Sequence, residues 1–204
     1  MEMSPRLRPI VEAATSSKLY RDNVEKIAKP LITQGEVFPD SLVPVIASSK
    51  AGQKTVFPMI WGYHVEGIDR VIANARAESA AEKPMFRDGW AMHRCIIPAS
   101  WYYEWEHIPT ASGKTKAGNK YAIMPSGSVL TCLCGLYRME SGFPHFVILT
   151  REPSTSIATI HDRMPMILSE TDAGSWIDPK VNPHVLLEAV LTDMVAEKVH
   201  KDRA

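Results

Sequence analysis

One stretch of the sequence places three chemically active side chains in consecutive positions. In Ile160–Pro165, His161, Asp162 and Arg163 stand between two apolar flanks. Burying charges is costly unless they are paired or used, so the triplet needs an explanation. It is either a structural network, with an Asp162–Arg163 ion pair and His161 at the end of an element, or part of a site.

A second candidate is Glu104, which lies between Tyr103 and Trp105 in an apolar and aromatic run. A carboxyl group beside aromatic rings has its charged form disfavoured, which suits a general acid or base near neutral pH. The alternative is an edge strand in which Glu104 points outward and Trp105 packs inward.

A third candidate is the segment 71–78, which alternates small or apolar residues with Asn74, Arg76 and Glu78. An extended backbone would place these three side chains on one face. The pattern also fits an ordinary half-exposed strand.

The sequence offers no obvious nucleophile. Ser100 and Thr150 are candidates, but neither lies in a Gly-x-Ser-x-Gly elbow. Cys95, Cys132 and Cys134 lie in apolar surroundings and are interpreted as core residues with reduced thiols. Cys-x-Cys alone is a weak metal signal and the histidines are scattered, so we expect no metal and no cofactor.

The composition sets the class of protein and limits its partners. Hydrophobic residues make up 45% and charged residues 23%, which is typical of a globular domain, and no apolar run is long enough to span a bilayer. No secretory signal is recognisable, so we expect a cytoplasmic protein without a membrane partner. The 23 basic residues balance the 23 acidic ones, which excludes a global basic surface for duplex DNA.

Sequence patterns predict the elements that would position these residues. Two helices are expected between Leu7 and Ile32, with a break at Ser16 and Ser17, and a hairpin from Leu42 to Trp61. Further helices are predicted at Pro84–His93, Ser154–Ile160, Glu170–Ile177 and Pro183–Lys198. Strands are predicted at Lys120–Met124, Val129–Tyr137 and Phe143–Thr150, after a polar hairpin tip at His107–Asn119.

The polar candidates come from three separate segments, and their convergence on a β scaffold is typical of a site. Glu104 and His161 can transfer protons, and Asn74 can orient a nucleophile or a carbonyl group. Arg76 and Arg163 can hold phosphate oxygens through bidentate hydrogen bonds.

These motifs resemble the signature blocks of a known family. Asn74–Glu78, Arg94–Trp105 and Ile160–Pro165 are similar, in order and spacing, to the three blocks of the SRAP family, the SOS-response-associated peptidase-like proteins. The resemblance runs from about Gly35 to Trp176. It implies an α+β fold, a single domain over residues 1–204 with a curved, barrel-like, mostly antiparallel sheet flanked by short helices.

The resemblance also implies a function. Family members trap abasic sites in single-stranded DNA through an N-terminal cysteine, which closes a thiazolidine with the ring-opened sugar. It assigns catalytic roles to Asn74, which would position the nucleophile, and to Glu104 and His161, which would handle protons. The implied DNA-binding residues are Arg76, Arg163, Trp61, Trp105, Pro39 and Thr150. The expected partner is single-stranded DNA containing abasic sites, bound by a monomer.

The beginning of the chain departs from that pattern. The family begins with Met-Cys-Gly-Arg, whereas this chain begins Met1-Glu2-Met3-Ser4, with no cysteine nearby. We expect a longer natural protein whose first, catalytic strand is missing here, because the acid–base set would have little purpose without a nucleophile. The alternatives are a non-catalytic single-strand-binding module and a peptidase that acts on its own N-terminus.

Overall fold

The protein consists mainly of β-strands with a few short helices around them. The computed structural model describes residues 7–199, except for the side chains of residues 23–26. The strands are β1 (Leu42–Ser48), β2 (Lys54–Trp61), β3 (Asn74–Arg76), β4 (Arg94–Ala99), β5 (Tyr102–Pro109), β6 (Thr115–Pro125), β7 (Thr131–Glu140), β8 (Phe143–Arg151), β9 (Met164–Pro165), β10 (Ile167–Leu168) and β11 (Met194–Lys198). The α-helices are α1 (Arg8–Thr15), α2 (Lys18–Ile27), α3 (Ala77–Ala80), α4 (Pro84–Met92) and α5 (Glu170–Ile177).

Five strands form a closed barrel. The main sheet has the order β10-β7-β4-β1-β2-β8-β3, and β7 also pairs with β8, which closes the ring β7-β4-β1-β2-β8. The β2–β8 and β3–β8 pairings are parallel, and the other pairings of this sheet are antiparallel. Together with the short helices, this confirms the expected α+β fold with a curved, barrel-like, mostly antiparallel sheet.

Gly135 marks the point of closure. It is paired with Cys95 of β4 on one side and with Ile148 of β8 on the other. A Cβ atom on Gly135 would lie 2.7 Å from Ile97 Cδ1 and 2.8 Å from the carbonyl oxygen of Val147. The strands approach one another so closely here that only glycine fits.

A second, three-stranded antiparallel sheet has the order β11-β6-β5. The polar tip predicted at His107–Asn119 is shorter than expected, because β5 continues to Pro109 and β6 starts at Thr115. Glu104 and Trp105 lie in the paired part of this hairpin, opposite Tyr121 and Lys120 of β6.

Several predicted helices are confirmed. The helices α1 and α2 flank Ser16 and Ser17 as expected. Helix α4 matches the helix predicted at Pro84–His93. The last helix, α5, begins after Ser169, whose side chain accepts a hydrogen bond from the backbone N–H of Asp172. In the described part of the chain, no helix has the length and apolar character needed to cross a membrane.

Two predicted helices are wrong. The segment Pro183–Lys198 contains only a 3₁₀ turn, Pro183–Leu186, and then the strand β11. Leu186, Val190 and Met194 are buried, whereas Val185 is 61% exposed. The edge of β6 pairs with β11 in an antiparallel ladder instead. The segment after Ser154 forms hydrogen-bonded turns that end at Ile160 rather than a helix.

The extended segment predicted at 71–78 is also shorter than expected. Regular pairing covers only β3, and Glu78 lies in α3 instead of sharing a strand face with Asn74 and Arg76. The chain turns into a helix at Ala77, which is buried together with Ala80.

Arg94 is a buried cation in the core, with only 2% of its surface exposed. Its guanidinium donates hydrogen bonds to backbone carbonyl groups at the ends of α4 and α5 and in the segment that follows α5. These carbonyl groups belong to Trp90, Ala91, Trp176, Asp178 and Val181. The free carbonyl groups of two helix ends are thereby satisfied by one side chain.

Candidate functional site

A cleft of about 320 Å³ opens between the barrel, the loop 33–39 and the start of the second sheet. Its walls are mainly apolar and aromatic, with a few polar side chains, which is the usual character of a ligand site. The predicted site residues in its walls are Pro39, Trp61, Asn74, Glu104, Trp105 and Thr150. The structure therefore brings together residues from five separate parts of the sequence.

Glu104 of the cleft wall is paired with His161, which is not itself one of the residues that line the cleft. The register of β5 shifts between Trp105 and His107, and the N–H of His107 donates to the carbonyl of Ile160 at 2.8 Å. This bond ties the end of the 154–160 turns to the second sheet. As a result, His161 Nε2 lies 3.6 Å from Glu104 Oε2.

The surroundings of Glu104 favour its protonated form. Burial, which is the larger cause, and the negative charge of Asp162 together raise the pKa of this carboxyl to about 7. Both forms of the carboxyl are thus populated near neutral pH, which is the condition for a general acid or base.

His161 is fixed in orientation by its own backbone neighbourhood. Its Nδ1 lies 3.0 Å from both the N and the O of Arg163, which leaves Nε2 facing Glu104. Burial lowers the pKa of His161, and the neighbouring His107 lowers it further. A neutral imidazole beside a carboxyl that is easily protonated is a pair between which a proton can move.

Asn74 and Arg76 are positioned by the short strand β3, which pairs with β8 opposite Ile148 and Thr150. Both side chains are exposed, whereas Ala75 between them is buried. In the described part of the chain, the Arg76 guanidinium has no hydrogen-bond or ion-pair partner. It is therefore available to an anion at the edge of the cleft.

Arg163, in contrast, is already occupied. Its two terminal nitrogens donate to Glu78 at 2.9 and 2.8 Å, and one of them also donates to the carbonyl of Thr150 at 2.7 Å. The alternative of an Asp162–Arg163 ion pair is wrong, since Asp162 Oδ1 instead lies 3.2 Å from His161 Nδ1. The role of Arg163 in holding a phosphate stays a prediction.

Aromatic side chains line the path past these polar groups. Trp61 stacks on Phe146 with ring centroids 6.3 Å apart, and its Nε1 donates to the carbonyl of Ala73. Trp105 is 47% exposed and Phe38 59% exposed. Phe38 was missed in the sequence analysis, although its place beside Pro39 in a turn-rich loop was a usable signal.

The three described cysteines are unsuited to act as nucleophiles. All are buried, and none lines the cleft. Burial raises the pKa of Cys95 and Cys134, and it raises that of Cys132 to about 11, so the reactive thiolate is scarce. The start of the chain, Met1-Glu2-Met3-Ser4, lies outside the described residues.

Two clusters of the described residues have side chains of the kind that bind metals. One consists of His107, His161 and Asp162 at the site, and the other of His64, Glu140 and His145. In the second, Arg138 Nε already donates to Glu140 at 2.8 Å. The sequence predicted no metal, and that expectation stays a prediction.

The sequence is similar to those of known proteins. Residues 3–202 match the family model described as SOS response associated peptidase (SRAP). Abasic site processing protein YoaM of Bacillus subtilis is 37% identical over 131 residues, which cover 62% of this chain and 56% of that protein. Abasic site processing protein YedK of Escherichia coli is 29% identical over 133 residues, covering 61% of this chain and 56% of that protein. The match thus spans little more than half the length of these relatives.

Solved structures show the same fold. A protein from Bacteroides thetaiotaomicron superimposes with a TM-score of 0.71 at 20% identity, covering 98% of this chain and 91% of that one. A phage-related protein from Bordetella bronchiseptica gives a TM-score of 0.68 at 19% identity, with 93% of each chain covered. With the family match over nearly the whole sequence, the chain belongs to the SOS response associated peptidase (SRAP) family.

Proposed function

We propose that this chain recognises abasic sites in single-stranded DNA and that Glu104 and His161 transfer protons in the covalent reaction of the abasic sugar. The observation that carries the proposal is the Glu104–His161 pair, in which His161 Nε2 lies 3.6 Å from Glu104 Oε2 and Glu104 belongs to the wall of a cleft lined by aromatic side chains. The names of the relatives, which are abasic site processing proteins, support the same reading.

The chemistry fits an aldehyde and an amine. Ring opening of an abasic sugar exposes an aldehyde, to which an amine adds to give a carbinolamine. Loss of its hydroxyl group as water leaves an imine, and this step needs one proton delivered to the oxygen and one removed from the nitrogen. Glu104 with a pKa of about 7 can deliver the first, and neutral His161 can accept the second.

A thiol on the same residue would complete the crosslink. Its sulfur bonds to the imine carbon, its proton passes to the nitrogen, and a five-membered thiazolidine closes with no other reactant. The buried cysteines of the barrel cannot supply this thiol. We propose that a cysteine ahead of the described residues supplies it in the active protein, as the family resemblance implies, with Asn74 orienting that residue from the wall of the cleft.

Binding of the strand would rely on stacking. Trp105 and Phe38 line the cleft and are partly exposed, and bases without partners stack on such rings whatever their sequence. Arg76, two residues after Asn74 of the cleft wall, adds a positive charge that has no partner among the described residues. This arrangement suits single strands, and it explains how a chain with no net charge can bind DNA locally.

The test is a crosslinking assay on a denaturing gel with a single-stranded oligonucleotide that carries one abasic site. We compare the chain as given with a version preceded by Met-Cys-Gly-Arg, and with the same extension carrying serine in place of cysteine. An adduct on the cysteine version alone, slowed at least tenfold by Glu104→Gln and by His161→Ala, is the expected result. Unchanged rates in both variants would rule out the assigned roles.

A second candidate function is a non-catalytic single-strand-binding module. It is favoured by the burial of all three described cysteines, which leaves stacking and Arg76 as the active features. This candidate predicts equal affinity for an intact strand and for one with a tetrahydrofuran analogue of the abasic site, with no adduct for any version of the chain.

A further inference from the structure

An ion pair bridges the rim of the cleft. Glu36 belongs to the loop in the cleft wall, and Lys120 belongs to β6 of the second sheet. The ammonium group of Lys120 contacts Glu36 Oε1 and lies 4.1 Å from the ring centroid of Tyr103 and 5.9 Å from that of Trp105. The lysine therefore lies across aromatic surface that borders the proposed DNA path.

This pair differs from the other ion pair near the site. Arg163 makes three hydrogen bonds, and its partner Glu78 also accepts one from the backbone N–H of Glu152. Among the described residues, Glu36 is the one polar partner of the Lys120 ammonium besides the aromatic rings; the Lys120 side chain is 19% exposed and the Glu36 side chain 34%. The two pairs differ in their number of hydrogen bonds and not in exposure: the single contact of Lys120 exchanges more readily than the three hydrogen bonds that hold Arg163.

We propose that Lys120 is a phosphate-binding residue for the single strand and that Glu36 occupies it until a strand enters the cleft. The inference rests on the proposed function and extends it. A phosphate of the strand replaces the Glu36 carboxylate as the partner of Lys120. The same movement draws the ammonium away from the ring faces of Tyr103 and Trp105.

The exchange couples two events. Lys120 gains a phosphate oxygen, and the ring of Trp105 becomes free for a base to stack on it. Glu36 thus lowers the affinity for an incoming anion, because that anion must compete with the Glu36 carboxylate for Lys120. A strand with both a phosphate and an unpaired base in register gains from the two contacts at once, whereas a free anion gains only one.

The test is a double-mutant cycle with Glu36→Gln, Lys120→Gln and both changes together. Fluorescence anisotropy measures the affinity for a labelled single strand, with a central tetrahydrofuran residue or intact, over a range of salt concentrations. Glu36→Gln should tighten binding roughly threefold to fivefold. Lys120→Gln should weaken binding and reduce the slope of log affinity against log salt by about 0.7.

The decisive result is the interaction between the two changes. With Gln at position 120, Glu36→Gln should give no gain, since there is no longer a lysine to release. An equal gain in both backgrounds would mean that Glu36 acts only by general repulsion, and it would overturn the inference. Glu188→Gln, at an exposed position outside the cleft, is the matched control and should leave affinity unchanged.

The outcomes separate this inference from the proposed function. If the two substitutions are additive, the exchange at Lys120 is ruled out. A clear adduct in the crosslinking assay would then still support the proposed function. A strong interaction between the two positions without any adduct or preference for the abasic strand keeps the role of Lys120 and favours the binding module. Absence of measurable binding at low salt overturns both.

Discussion

The imidazole of His107 lies against that of His161, with ring centroids 4.0 Å apart and ring planes tilted by 47°. Because His107 contributes to the lowered pKa of His161, His107→Asn should raise that pKa. The measurement is an NMR titration of the His161 ring protons between pH 4 and pH 9.

The carboxylate of Asp162 provides the opposing control. Asp162 raises the pKa of His161, so Asp162→Asn should lower it. The same substitution should lower the pKa of Glu104, whose protonation Asp162 favours. Movement of His161 in the same direction in both variants would contradict the electrostatic account of the site.

Glu104 should lower the stability of the fold at neutral pH. Its pKa is about 7 when folded, above the ordinary value of 4.5, so the folded state holds its proton more tightly than the unfolded state does. The free energy of unfolding therefore falls as the pH rises from about 4.5 to 7. Glu104→Gln should stabilise the protein by about 2 kcal/mol at pH 8 and by much less at pH 4, in urea unfolding measured at both values.

The rate of adduct formation should follow the same carboxyl group. If neutral Glu104 delivers a proton to the leaving hydroxyl group, the rate of the cysteine-extended protein should decline as the pH rises above about 7. Glu104→Gln should remove this limb of the profile and leave a slower reaction that is flatter in pH. A decline that persists in Glu104→Gln would assign the titration to another group.

The closure of the barrel predicts an asymmetry between two glycines. Gly135→Ala should destabilise the protein by roughly 2 to 4 kcal/mol, since its Cβ would collide with β4 and β8. Gly174→Ala, in α5 with no atom within 4 Å of the added Cβ, should be neutral or stabilising by up to about 1 kcal/mol. Thermal unfolding of the two variants side by side measures the difference.

The Arg163–Glu78 pair predicts a stability change that depends on pH. Burial is the largest single cause and alone would raise the pKa of Glu78. The hydrogen bonds from Arg163 and from backbone N–H groups, together with the positive charge of Arg163, outweigh it and lower this pKa, so the stabilisation exists at neutral pH and is lost as the pH falls through the folded-state pKa. Glu78→Gln should cost about 1 kcal/mol at pH 7 and progressively less in acid. The exposed Glu82→Gln is a matched control that should change stability little at either pH.

The sequence predicted the barrel strands well because their signals are local. Apolar runs bounded by Gly and Pro located β1, β2, β7 and β8, and the Ser169 cap located α5. The last helix failed because the apolar spacing of Leu186, Val190 and Met194 fits burial in either conformation. The choice of a strand there depends on the free edge of β6, which is a tertiary feature that periodicity does not contain.

The sequence indicated Glu104 and His161 because polar groups in apolar runs are rare, and the structure places them 3.6 Å apart. Of the two alternatives for Arg163, the ion pair with Asp162 is wrong, since Glu78 reaches Arg163 from a helix far away in sequence. Lys120 was predicted only as the first residue of a strand, and the fold shows that it lies over aromatic rings.

The buried guanidinium of Arg94 has a consequence for how the molecule opens. Chain ends commonly fray, because few contacts hold them. Here carbonyl groups between residues 176 and 181 accept hydrogen bonds from the same guanidinium as the end of α4. Detaching them would leave a positive charge inside the core without these hydrogen bonds. The amide protons at the end of α5 should therefore exchange with solvent as slowly as those of the barrel, so this region resists proteases for as long as the barrel stays closed.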